Sequence, residues 1–318
     1  MEVAVLVKVV PPLEGLRYDA ERRSVVRDGT DLYLNPFDQR ALRVALDVRR
    51  PGERITVVSL GPRAVRDALR DTRALGVDRT ILVSDLRCAG SDTLATARTL
   101  ATVLARIGPD LVLGGAWTTD SETGQVGPEV AALLGLRLLT GARALVRSDT
   151  SAELTVTVDT PTGWATYRAP LPLLVTVGEK IAKPAKVAPE DRARIAGSEV
   201  EVLGLDDLAI PPERAGLAGS PTAVHWVRED APHRSPVIFA DGPPRARVAA
   251  AAAALASRLR AKATPSMVRH PWPEPAPDDR EVLVLVTDAA GGPDPSAPPL
   301  LSEVRRSMPG YWPSAVWL

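Results

Sequence analysis

Two hydrophobic periodicities divide this chain. Over residues 1 to about 197, short continuous apolar runs alternate with stretches whose apolar residues recur every three or four positions. The runs Val3–Val7, Ile55–Leu60, Thr80–Val83 and Asp110–Leu113 are rich in β-branched residues, the pattern of strands covered on both faces. Between them the periodic stretches predict helices over Asp38–Val48, Arg63–Leu75, Thr93–Ile107 and Glu129–Leu134, with Gly76 closing the second. Such alternation predicts a parallel sheet covered by helices, with ligands at the C-terminal edge of its strands.

The period then changes. Arg143–Val146, Ala152–Thr157 and Gly163–Arg168 alternate residue by residue, which predicts a small antiparallel insertion joined by turns. Leu171–Val177 is continuously apolar again and is expected to rejoin the main sheet. Residues 198–262 lose periodicity and read as an extended arm that lies on something else. Within it, Val200–Leu205 is a candidate strand, Arg214–Thr222 a loop and Arg245–Lys262 a helix by propensity. Residues 263–280 are a proline-rich linker, and 281–318 a small β-α-β-like tail. An α/β domain is expected over residues 1–197.

The stretch Thr118–Leu134, T-T-D-S-E-T-G-Q-V-G-P-E-V-A-A-L-L, carries the clearest chemical signal. It follows a strand ending in Gly114 and Gly115, which allow a sharp turn. Asp120, Ser121, Glu122 and Thr123 offer N-cap chemistry for a helix opening near Gly124 or Gln125, with Pro128 tolerated in its first turn. A strand feeding a helix N-terminus in this way can hold a phosphate on free N–H groups at the positive dipole end. On spacing alone, a plain β–α connection is an equal reading.

Composition narrows the field. Lysine plus arginine and aspartate plus glutamate both number 39, so the balanced charge gives no footprint for nucleic acid. Five of the basic residues are lysines, and Lys180, Lys183 and Lys186 fall within seven residues. Cys88 is the single cysteine, which excludes an intrachain disulfide, and the three histidines lack metal-ligand spacing. Neither a secretory pattern nor a membrane-length apolar run is present, so a cytoplasmic location without membrane insertion is expected. No hydrolytic constellation stands out.

Several separated motifs together resemble the β subunit of electron transfer flavoproteins, from residue 1 to about 262. They are V-L-V-K (Val5–Lys8), L-N-P-F-D-Q-R-A-L (Leu34–Leu42), V-S-L-G-P (Val58–Pro62), A-L-G-V-D-R (Ala74–Arg79), the D-S-E-T-G-Q-V-G-P-E stretch and L-A-G-S-P-T (Leu217–Thr222). The resemblance implies a three-layer, Rossmann-like adenine-nucleotide-binding α/β fold. It also implies a heterodimer with an α subunit that shuttles electrons from an acyl-CoA or other flavin dehydrogenase, an electron carrier rather than a catalyst with its own substrate. The main FAD would sit largely on the α partner, and the β subunit would hold AMP or a second FAD. The implied nucleotide contacts are Leu6, Asn35, Pro36, Phe37, Asp38, Leu60 and the loop Gly115, Ala116, Trp117, Thr118, Thr119, Asp120, Ser121, Glu122, Thr123, Gly124 and Gln125. The loop wording leans toward FAD, as in the electron-bifurcating members. Departures are Ala116-Trp117 in place of a basic-polar pair and Gly124 where some relatives carry Asn. A recognition loop for the dehydrogenase is implied at Gly178–Pro189, with Lys180, Lys183 and Lys186 meeting an acidic surface and Ile181 or Val187 as apolar anchor.

The residue types allow more than one role at several positions. Asn35 is expected both to cap a helix and to contact the nucleotide. Asp120 is either an N-cap or an acceptor for an adenine amine or ribose hydroxyl, and Gln125 either a contact or a solvated helix residue. Trp117 either stacks on a ring or belongs to the core. The rival to an electron carrier is a non-redox nucleotide-binding regulatory or scaffold protein of the same α/β class.

Overall fold

A computed structural model describes residues 1–12, 18–19, 24–25, 32–195, 199–224 and 237–261. The expected linker and tail after residue 262, and all three histidines, lie outside the described residues.

Nine strands form one sheet: β1 (Glu2–Leu6), β2 (Arg54–Leu60), β3 (Arg79–Val83), β4 (Leu111–Gly115), β5 (Arg137–Arg147), β6 (Glu153–Thr160), β7 (Gly163–Pro170), β8 (Leu173–Val177) and β9 (Glu201–Leu203). Their order is β7-β6-β5-β8-β4-β1-β2-β3-β9, and every pairing is parallel except β5–β6 and β6–β7. One face is covered by α1 (Pro36–Val48) and α2 (Arg66–Ala74), the other by α3 (Thr93–Ile107) and α4 (Val126–Leu134). The expected three-layer α/β fold is present.

Side-chain alternation along β1 shows why two helical layers are needed. Val3 and Val5 enter the core under α1, while Ala4 and Leu6 enter the core under α3 and α4. All four are at most 9% exposed, so a single layer would leave half of the strand's apolar area in water. Helix α3 occupies the residues its pattern predicted because both ends carry unambiguous signals. The Asp92 carboxylate accepts from the Ala95 N–H at 2.9 Å, and Gly108 terminates the helix at φ +63°. In contrast, the predicted helix Arg63–Leu75 opens with a 3₁₀ turn at Arg63–Val65 before α2 begins.

The antiparallel segment is continuous with the main sheet. Strand β5 begins at Arg137, earlier than the alternation suggests, and pairs with β8 in its first half and with β6 in its second. Its bend falls at Gly141, which has φ +65° and lies beside a register shift against β8. Arg147 on β5 forms a two-pronged ion pair with Glu53 at 2.6 and 2.7 Å, fastening this region beneath the end of α1.

Contacts divide the chain into two units, Met1–Ala231 and Pro232–Leu318. In the first, residues 199–224 lie on the domain's own edge. Strand β9 extends the sheet beyond β3, and Leu205, Leu208 and Ala215 are buried. Ser220 and Thr222 bond to Asp92 at the opening of α3. In the second, α6 spans Pro244–Ala261, after the short α5 at Pro189–Arg194 in the first unit.

Candidate functional site

After β1 the chain builds β2 and β3 on one side, then crosses back to place β4 on the other. The C-terminal ends of β1 and β4 therefore flank a topological switch point, the position at which open α/β sheets leave a crevice for ligands. Three segments meet there: Lys8 just past β1, Asn35–Asp38 opening α1, and the loop from Gly115 to Gln125.

Asn35 is fully buried and stands at the N-cap position of α1 with Pro36 next, but its side chain does not cap the helix. Its Nδ2 instead donates to the Trp117 carbonyl at 3.0 Å, and its Oδ1 accepts from the Thr119 N–H at 3.4 Å. The expected capping role is thus corrected: Asn35 shapes the loop. Asp38, one helical turn on, is 4% exposed and accepts from the Lys8 N–H at 2.7 Å and the Gly115 N–H at 2.8 Å. It bridges the ends of β1 and β4 directly. Burial pushes its carboxyl up to about 6, against the opposing pull of those two N–H groups, Asn35 and the Lys8 charge.

The glycines that end β4 have a different purpose from the one expected. Both remain in the strand, and neither has a positive φ. A Cβ on Gly115 would stand 2.5 Å from Asp38 Oδ1 and 2.6 Å from Phe37 Cβ, so it is close approach to α1 that requires glycine. Beyond Ala116, whose N–H donates to Val177, the Glu122 N–H closes a turn on the Thr118 carbonyl. Within that turn the Thr118 hydroxyl donates to Asp120 Oδ1 at 2.8 Å. Asp120 is 1% exposed in its side chain and pairs with Lys8 Nζ at 2.7 Å.

The polar run Asp120–Thr123 does not cap α4. Gln125 occupies the N-cap position, and its side chain makes no cap hydrogen bond. Glu122 (φ +52°) and Gly124 (φ +62°) take left-handed backbone to reach that entry. Gln125 is exposed, with Oε1 3.1 Å from the Thr93 hydroxyl of α3. Trp117 is half exposed rather than core, with its ring edge-on to Phe37 at 5.3 Å. Leu6 and Leu60 lie at the ends of β1 and β2 in the α3/α4 core. Ser121 and Thr123 are exposed. Beside the loop opens a cleft of about 490 Å³ lined by Trp117, Gly124, Gly141, Gly178, Asp159 and Lys180 among others. In the 178–189 loop Lys180, Lys183 and Lys186 are exposed, Val187 is half-buried, and Ile181 packs partly against the core.

Lys8 is the residue that reading by motif underrated. Its signal was available: one of only five lysines, immediately after the first strand.

The electron transfer flavoprotein domain matches residues 23–203. The electron transfer flavoprotein subunit beta of Megasphaera elsdenii is 35% identical over 239 residues, covering 71% of this chain and 87% of the relative. This chain belongs to the electron transfer flavoprotein β-subunit family. Protein FixA of Azorhizobium caulinodans is also 35% identical, over 235 residues (71% and 84%), and the subunit beta of Clostridium acetobutylicum is 32% identical over 226 (70% and 86%). Among the described residues no helix is long and apolar enough to cross a membrane, and no metal-binding group of side chains occurs.

In this β-subunit-family chain the buried Asp38 sets a pH dependence. Its folded carboxyl is raised from 3.8 to about 6, so the stabilisation from protonation is fully present below about pH 4 and lost as pH rises through 6. Glu53, Asp85 and Asp92 are shifted the other way, mainly by hydrogen bonds and ion pairs, and lose stability only at lower pH. Glu129 is raised by burial as well and adds in the same direction as Asp38, so urea unfolding at pH 5, 6 and 7 should show stability falling toward pH 7, and the Asp38→Asn variant should show a shallower fall.

Proposed function

We propose that this chain is the β subunit of an electron transfer flavoprotein, holding an adenine nucleotide at the β1/β4 switch point and carrying electrons from a dehydrogenase together with an α subunit. The observation that carries the reading is the N-terminus of α4. It follows β4 through the Ala116–Gln125 loop, its N-cap residue Gln125 makes no side-chain cap, and Gly124 and Gln125 turn the chain into it. Backbone N–H groups at such an entry suit a phosphate, and the helix dipole favours the negative charge. Asn35 and Asp38 brace the loop from below, leaving Gly115–Gln125 to face the ligand.

FAD is the preferred nucleotide over AMP. The adjoining cleft of about 490 Å³ extends the site beyond a mononucleotide and lies within the range of small-molecule pockets. Trp117 offers it a half-exposed indole face. When bound, the flavin supplies the electron-carrying chemistry, while the protein binds and orients it. The dehydrogenase, an acyl-CoA or other flavin enzyme, would dock at the exposed Lys180, Lys183 and Lys186 with Val187 as apolar anchor, in the cytoplasm.

Co-purification with the α partner followed by acid release tests this reading. FAD is expected in excess of the one held by the α subunit. AMP in its place would overturn the FAD preference, and a complex that carries no flavin at all would favour the non-redox regulatory or scaffold rival.

A further inference from the structure

Three ties fasten the Gly115–Ser121 segment to the end of β1 and the opening of α1. Asp38 takes the Gly115 N–H, Asn35 takes both a carbonyl and an N–H of Trp117–Thr119, and Lys8 Nζ reaches Asp120 Oδ1 at 2.7 Å and Ser121 Oγ at 3.4 Å. The first two ties come from buried side chains. The third joins an ammonium that is 35% exposed to a carboxylate that is 1% exposed. It attaches Asp120 and Ser121, in the far half of the Thr118–Glu122 turn, to the residue just past β1.

We propose that Lys8 is a positioning residue: through Asp120 it holds the Thr118–Glu122 turn closed at the crevice and so governs how fast a bound adenine nucleotide leaves. This rests on the nucleotide site proposed above. Two physical arguments favour a tether over two separate ligand contacts. Asp120 Oδ1 is already engaged by both Lys8 and the Thr118 hydroxyl, and its side chain faces the protein. A carboxylate beside a phosphate site would also repel the ligand, and the paired ammonium offsets that charge where the local dielectric is low. The backbone of Lys8 is itself fixed, its N–H on Asp38 and its carbonyl on the Asn35 N–H, so the ammonium swings from a rigid base.

A double-mutant cycle tests the pairing on the full chain, with Lys8→Met, Asp120→Asn and both together. Two readouts are taken: amide hydrogen exchange of Thr119–Glu122 without nucleotide, and the dissociation rate of FAD or AMP. Each single change should raise both by about tenfold, the double no more than the worse single, and Lys8→Arg should stay within about twofold of wild type. Thermal unfolding of each variant separates loop release from loss of the fold. Effects that multiply in the double variant, or singles that leave release unchanged, would overturn the tether. Wild-type protein that binds neither FAD nor AMP would instead overturn the site reading, and the proposal with it.

Discussion

Replacing Gly115 by Ala is expected to unfold the chain about 6–12 °C earlier and to abolish nucleotide retention. The added methyl would stand 2.5 Å from Asp38 Oδ1, 2.6 Å from Phe37 Cβ and 3.1 Å from the Asp38 nitrogen. Two of these neighbours are anchored. Asp38 is held by N–H groups on both sides, and its backbone lies in the first turn of α1. Relief must therefore come from moving β4 away from α1, which breaks the Gly115–Asp38 bond. Overpacking of this kind costs about 3 kcal/mol, and for a unit of this size about 2–4 °C accompanies each kcal/mol. Gly114→Ala is the internal control. Its Cβ would meet Leu6 Cβ at 3.5 Å, an ordinary contact, so thermal unfolding should change little. Equal behaviour of the two variants would refute the close-approach argument.

The second large effect is expected at Asn35. Its removal in Asn35→Ala leaves the Trp117 carbonyl and the Thr119 N–H without the buried side chain that pairs them. Each partner stripped in this way costs about 1–3 kcal/mol, so a loss of about 3 kcal/mol in denaturant unfolding is expected. Because both groups belong to the loop, nucleotide dissociation should speed up by at least tenfold. Asn35→Asp removes the donor to Trp117 and sets a carboxylate beside a carbonyl, and it should be no better than Ala. A stable Asn35→Ala protein with unchanged release would remove Asn35 from the site.

What local pattern could and could not convey is visible in particular residues. Helix α3 was legible because Asp92 and Gly108 mark both ends with side-chain and backbone chemistry that needs no tertiary context. The buried parallel strands were legible from β-branched runs, and β5–β7 from alternation. Sheet order was not, because nothing local says on which side of β1 the fourth strand will lie. The run Asp120–Thr123 has the composition of a helix cap, yet Asp120 is consumed by a lysine 112 positions away. Asp38 looks like an ordinary acidic residue in a first helical turn; its burial follows from the approach of Gly115, 77 positions on. Residues 199–224 lack periodicity because they are held piecewise, β9 by pairing with β3, Leu205, Leu208 and Ala215 by burial, and Gly216, Ser220 and Thr222 by bonds to Ser91 and Asp92.

A density map of this chain in complex with its α partner and nucleotide should place a phosphate against the backbone of Gly124–Val126, with the adenosine between the ends of β1 and β4 and the Thr118–Glu122 turn closed at its side. A nucleotide seated elsewhere, or side chains filling the space between Lys8 and Gln125, would contradict the account.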